Sequence, residues 1–427
     1  MRAMLLGSLV ALSMAALDAR AQEYTLTDIG TLGGDYAIPH AVNNAGQVVG
    51  QSELPTKNGQ SQNHPFLYSN GAMKDLGTLG SGFGEALAFN NQGQVVGDSE
   101  LPTYVPHAFL WSNGSMQDLD PLEPDVTSAA TGITPGGQIV GAVGSAAVTF
   151  SGGTYAPIPP SPLASFYPNA INSSSQSAGT CFTTGASPTL HACRYNGTSV
   201  IDLPPLFSGG ESTGSAINEL NQVCGSSDNA AQTEGRATLW KGITHANLGV
   251  LSGGHFSRCD GLNNYQQQVG SSYTPADAVY THAVLYDPVN KVTDLNSRVA
   301  KSKYLLLEAF SISDNGKIAV WCEFGGFHYR VCLLNPNLIL ILKKNIFALA
   351  KGDPGCIQCS SVLLPEARSL PDTLQNLTSG EKSTITSTVS LMIAQLQQVT
   401  REKEITVPQS TLLQHQAQLV LNALKPR

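Results

Sequence analysis

One phrase recurs seven times along this chain. It reads VNNAGQVVG at 42–50, FNNQGQVVG at 89–97 and ITPGGQIVG at 133–141. Looser copies are INSSSQSAG at 171–179, INELNQVCG at 217–225, LNNYQQQVG at 262–270 and ISDNGKIAV at 312–320. Successive starts lie 47, 44, 38, 46, 45 and 50 residues apart, the period of propeller blades and of larger solenoid repeats. Each copy has a second half. HPFLYSNG (64–71), HAFLWSNG (107–114) and HACRYNG (191–197) lead into MKDLG, MQDLD and VIDLP. Related segments are ATLWKG at 237–242, HAVLYDP at 282–288 and RVCLLNP at 330–336. Their aromatic and β-branched residues favour strands. The Asn-Asn-x-Gly and Asn-Gly steps supply hairpin turns, because Asn and Gly tolerate positive φ. One unit then holds four short antiparallel strands, the blade pattern. Glycine and proline, 42 and 24 of 427 residues, suit such a turn-rich all-β chain.

The ends of the array predict a closed ring. YTLTDIG at 24–30 matches the fourth strand of a unit, yet it precedes the first complete copy. The seventh copy runs through 330–336 and then has no Asp-Leu strand. The first strand can complete the last sheet and remove its exposed edge. The expected fold is therefore an all-β, seven-bladed propeller of about 45-residue repeats with a C-terminal α-helical extension. A β-solenoid, with covered or polar ends, is the alternative.

The phrases from DIGTLGG (28–34) through HAFLW (107–111) resemble the bacterial HAF-repeat family of extracellular proteins. The resemblance decays over residues 24–336: HAF becomes His191-Ala192-Cys193 and His282-Ala283-Val284, and the third copy lacks the His. It implies an extracellular repeat protein and brings no catalytic residues with it.

The N-terminus reads as an export signal over residues 1–21. Arg2 begins it, a short apolar stretch runs from Leu5 to Leu17, and Ala19-Arg20-Ala21 forms the cleavage site. No later segment has the roughly 18 uninterrupted apolar residues of a membrane-spanning helix; Lys343-Lys344 ends the apolar run that starts at Leu338. The expectation is a secreted protein, extracellular or periplasmic, with no integral membrane span. Its net charge of −8 gives no positive field for nucleic acid.

Eight cysteines fit that address. Cys181 and Cys322 lie two residues beyond the end of their repeat phrase, while Cys193 and Cys332 replace the aromatic of HAF. The same two positions carry cysteine in two units, on strands expected to be neighbours. This predicts Cys181–Cys193 and Cys322–Cys332 disulfides. Cys224 and Cys259 sit on inner parts of consecutive units and can lock adjacent blades. Cys356 and Cys359 form a CxxC; without a βαβ surrounding, a structural disulfide is expected there rather than a redox centre.

His64, His107, His191 and His282 recur at one position, and Asp28, Asp75, Asp118, Asp202 and Asp294 at another. An active site needs its residues once, whereas a fold needs its bonds in every blade. These positions are read as structural polar pairs. Arg236 and Arg330 stand where His sits elsewhere, which fits a donor requirement. Asp118, Asp120, Glu123 and Asp125 form an acidic loop, read as a solvated surface with a cation or basic partner as the sharper alternative. Phosphate-loop, HExxH and complete calcium-loop motifs are absent. The expectation is no catalytic set, no cofactor and no metal.

After residue 340 the repeat gives way to a different composition. Residues 22–340 hold 12 basic and 24 acidic residues, net −12; residues 341–427 hold 9 and 6, net +3. Ile385, Val389, Met392, Leu396 and Val399 form one helical stripe, and Leu413, Ala417, Val420 and Leu424 a second after Pro408. These helices are expected to cover an edge of the propeller, with self-association through 381–427 as the alternative. The organisation is a signal (1–21), a repeat propeller (22–340) and a helical extension (341–427). The leading reading of function is a secreted scaffold whose loops bind a protein or glycan, without catalysis. A secreted polysaccharide lyase or hydrolase is the rival, and a self-assembling surface protein the third.

Overall fold

Each QVVG phrase forms the start of a strand whose glycine lies against a neighbouring backbone. A Cβ on Gly50 would stand 2.0 Å from the Ile38 carbonyl oxygen, and one on Gly97 1.9 Å from that of Glu85. The glycine faces the residue just before a β-bulge in the first strand of its unit, at Pro39 and Ala86 in these two cases. The seventh unit carries Val320 instead. Its first strand is longer, Tyr304–Ile312, and contains two register shifts, so the approach is relieved there.

The computed structural model describes residues 22–56, 61–159, 163, 165–184, 187–275, 281–352, 363–401 and 405–425. The export signal and the Cys356–Cys359 pair read from the sequence lie outside these residues. The described chain forms seven four-stranded antiparallel sheets. Blades 1 to 6 occupy residues 37–75, 84–118, 128–157, 165–203, 211–249 and 257–294. Blade 7 has the order Tyr304–Ile312, Ile318–Phe324, His328–Pro336 and then Tyr24–Gly30. The first strand of the chain thus pairs antiparallel with the last, Tyr24 opposite Pro336 and Thr27 opposite Leu333.

The ring is closed. The first strand of every blade packs against the first strands of both neighbours, blade 7 against blade 1 included. Ile29, Ala37, Val42, Val48, Phe66, Ala319, Val331 and Leu333 form one buried cluster across that junction. Phe66, Phe109 and Trp240 are fully buried between sheets, each contributing about 1.5–3 kcal/mol.

The repeated Asn does more than turn the chain. Asn43 Oδ1 accepts from the Ala45 and Gln47 amides, and Asn90, Asn172, Asn218 and Asn263 cap their turns alike. Their Nδ2 groups reach the next blade: Asn172 to Asn218 O (3.0 Å), Asn218 to Asn263 O (3.2 Å), Asn263 to Ser313 O (3.2 Å). Asn44 closes the circuit by accepting from the Asn315 amide at 3.0 Å. These bonds tie blade to blade on the face that carries the turns, and those of Asn172, Asn218 and Asn263 are buried.

Four helices follow: α1 (Leu338–Gly352), α2 (Leu364–Ser369), α3 (Ser379–Arg401) and α4 (Val407–Leu424). α1 begins before residue 341 and continues through Lys343-Lys344, which the sequence reading took as the end of an apolar run. Lys343 is buried because its ammonium donates to Leu370 O (2.7 Å) and pairs with Asp372 (2.6 Å). Both expected stripes, Ile385 to Val399 and Leu413 to Leu424, are buried in a core shared with Ile339, Leu342 and Ile346. Thr406 and Gln409 form a capping box at the start of α4. The extension docks on the turn face of blades 6 and 7. His415 stacks on Tyr265 at 3.3 Å and its Nε2–H donates to Asp314 O, while Asn345 bridges Asn290 and Gln416. No described helix is long and apolar enough to cross a membrane.

Candidate functional site

The recurring polar residues sit together blade by blade. His64 Nδ1 meets Asp75 at 2.9 Å, His107 Asp118 at 3.1 Å, His191 Asp202 at 2.8 Å and His282 Asp294 at 2.8 Å. In each case a third strand is joined to the fourth. The Asp also caps the following turn, as Asp75 does for the Gly77 amide. In blade 7, Arg330 approaches Asp28 at 3.5 Å and Tyr304 OH donates to it at 2.6 Å. Blade 5 has Asn247 in place of the Asp, and there Arg236 pairs with Glu234 and donates to His255 O. The five acidic positions are spread around the ring, in blades 7, 1, 2, 4 and 6.

Three disulfides are present among the described residues: Cys181–Cys193, Cys224–Cys259 and Cys322–Cys332. The first and third link second and third strands within a blade. Cys224 and Cys259 join blade 5 to blade 6. Such bonds fit an oxidising compartment. In the acidic loop, Asp118 is engaged by His107 and Glu123 accepts from Tyr155 OH at 2.8 Å. Among the described residues no three His, Cys, Asp or Glu side chains come together as a metal site.

Residues that do not repeat mark the other face, formed by inter-blade loops and by connections between second and third strands. All five exposed large aromatics of the described residues lie there: Phe83, Tyr104, Phe182, Tyr273 and Phe327. Tyr104 and Phe327 are 74% and 83% exposed. The helical extension is on the opposite face. Around blades 7 and 1, Tyr36, Trp321 and Tyr329 form a trio, with the last two stacked at 4.7 Å.

Two polar groups flank this trio. Between blades 1 and 2, His40 Nε2 meets Glu85 at 3.0 Å and Gln51 donates to the same carboxylate oxygen at 3.3 Å. Asp98, directly across the strand pair from Glu85, is pushed up to about 7 by burial and then by the Glu85 and Glu100 charges. Burial, and then Glu85, also raises the Tyr36 hydroxyl. Between blades 6 and 7, Arg258 pairs with Asp260 at 3.1 Å and with Glu308. Burial raises the Asp260 carboxyl; Arg258 opposes this and Glu308 reinforces it.

A cleft of about 770 Å³ opens between blades 5 and 6 on the same face. Phe256 and Tyr273 form one wall, edge to face at 6.3 Å, and Asp228, Arg258, Ser271 and Thr274 supply polar groups.

The sequence reading did not find these residues. They occupy shared registers within the repeat, such as Gln51, Asp98, Ser226, Ser271 and Trp321 on second strands. A column-by-column alignment of the seven units would have shown that polar and aromatic residues replace one another there.

No known protein-family model matches the chain, and no curated protein matches it. Several solved structures show a weak likeness to the chain. A Mycobacterium tuberculosis puromycin-hydrolyzing peptidase is 10% identical with a TM-score of 0.42, over 73% of this chain and 56% of that one. A Xanthomonas campestris gluconolactonase is 11% identical with a TM-score of 0.35, over 75% and 93%. Aleuria aurantia lectin in complex with α-methyl-L-fucoside is 11% identical with a TM-score of 0.30, over 74% and 97%. The chain thus spans about half of the peptidase. Likeness at this level says nothing about substrate.

Proposed function

We propose that the protein is an exported HAF-repeat scaffold that binds a glycan through the loop face of its propeller. The observation that supports this reading most is the confinement of the five exposed large aromatics among the described residues to that face, opposite the helical extension. Exposed aromatic rings beside carboxylates and hydroxyls suit sugars, which present both apolar C–H faces and hydroxyl groups. A rigid ring with varied loops can hold such a surface at little entropic cost. The three disulfides accord with an extracellular or periplasmic address. Binding of the full chain to an array of immobilised glycans, with product analysis on each hit, tests the reading. Capture without product supports it; no capture on any glycan overturns it.

Hydrolysis is the second reading, favoured by one observation. Asp98 is held near neutral pKa, the range in which a carboxyl can serve as an acid or base, and it lies across the strand pair from Glu85, which His40 and Gln51 engage. Asp260 and Glu308 suit that role less well. Both are already engaged by the Arg258 guanidinium. Sugar release abolished by Asp98→Asn would establish hydrolysis and displace simple capture.

A further inference from the structure

The geometry points to the cleft between blades 5 and 6 as a subsite for a single neutral pyranose residue, stacked on Tyr273 and hydrogen-bonded to Asp228. This inference rests on the glycan-binding reading above and gives it a location and a ligand class.

The cleft volume of about 770 Å³ falls within the roughly 300–1,000 Å³ of small-molecule sites. Its aromatic wall is preformed, since Phe256 fixes Tyr273 edge to face while Tyr273 keeps 44% of its surface exposed. That leaves a ring available for the C–H face of a sugar. Across from it, the Asp228 carboxyl takes no hydrogen bond from any described residue. Burial, then the Glu211 charge, raises its pKa, so a hydroxyl donated by a ligand would relieve a poorly solvated acceptor. Thr274 adds a hydroxyl oxygen that is buried and has no hydrogen-bond partner. An unsatisfied buried polar atom of this kind is costly until something bonds to it.

Charge selects among ligands that would fit. Arg258 also lines the cleft, but Asp260 and Glu308 already neutralise it. The same two carboxylates hold its guanidinium in place. Among the described residues the cleft therefore offers no uncompensated Arg or Lys for a phosphate or a uronate, and Asp228 would repel either. A neutral sugar meets no such penalty. Its hydroxyls can donate to Asp228 and Thr274 and accept from Arg258.

The test is binding of D-glucose, D-galactose, D-mannose and D-glucuronate to the full chain, measured by calorimetry and saturation-transfer NMR. The expected result is millimolar binding of at least one neutral hexose and none of glucuronate. Tyr273→Ala and Asp228→Asn should each weaken that binding at least tenfold, with thermal midpoints near that of the parent protein. Binding of glucuronate alone would overturn the ligand class. Hexose binding unchanged in both variants would overturn the location. Capture of polysaccharide that both variants retain, without any monosaccharide binding, would refute the subsite and leave the glycan reading standing. No binding to any glycan would refute both.

Discussion

Replacing Asp98 by Asn should stabilise the protein clearly more at pH 8 than at pH 5. The Asp98 carboxyl is pushed from 3.8 up to about 7 by burial, with Glu85 and Glu100 adding to it. A folded-state value above the unfolded one means that the folded chain holds its proton more tightly. The resulting stabilisation is fully present below the unfolded pKa of 3.8 and is lost as pH rises through about 7. At about 1.36 kcal/mol per pH unit, the full difference between pH 4 and 8 would reach roughly 4 kcal/mol. Asp98 is only half-buried, so solvent screening reduces this to about 2 kcal/mol. For about 400 ordered residues at roughly 2.1 cal/mol/K each, that moves the thermal midpoint by about 2–3 °C. Calorimetric midpoints of parent and Asp98→Asn, each at pH 5 and pH 8, give the answer. Other titrating groups are common to both proteins and cancel in the comparison. An equal difference at the two pH values, or a variant less stable at pH 8, would refute the reasoning.

Other perturbations separate local from long-range ties. In the chain-entropy description, removing the Cys224–Cys259 bond, which spans 35 residues, costs about 4 kcal/mol, against about 3 for Cys181–Cys193, which spans 12. Urea titration of the Cys224→Ser/Cys259→Ser and Cys181→Ser/Cys193→Ser proteins should rank them in that order. Gly97→Ala forces a Cβ against the Glu85 carbonyl and should cost upwards of about 3 kcal/mol. Gly71→Ala, at φ +83° in open space, should cost only about 1 kcal/mol; similar midpoints for the two would contradict the close-approach account.

The repeat made much of the fold legible. Its Asn-Gly turns, His–Asp positions and cysteine variants recur at fixed offsets, so one unit predicts the others. The displaced strand at 24–30 was readable because its Thr-Asp-Ile-Gly lacks a repeat phrase ahead of it. The inter-blade bonding of Asn172, Asn218 and Asn263 was not readable, since a turn alone already explains an Asn there. α1 escaped notice because burial of Lys343 depends on Leu370 and Asp372, well beyond its own helix. The loop-face groups were hidden for a related reason. His40 meets Glu85, and Arg258 meets Glu308, only because adjacent blades align their inner strands.

The most direct test of the account compares the two faces of the ring. Affinity electrophoresis in gels containing dextran, galactomannan, xylan or alginate measures retardation of the full chain. The account predicts that Phe83→Ala/Tyr104→Ala/Phe327→Ala weakens retention at least tenfold, while Leu220→Ser/Ile243→Ser on the turn face leaves it intact. Equal retention by both variants, or loss with the turn-face variant alone, would contradict it.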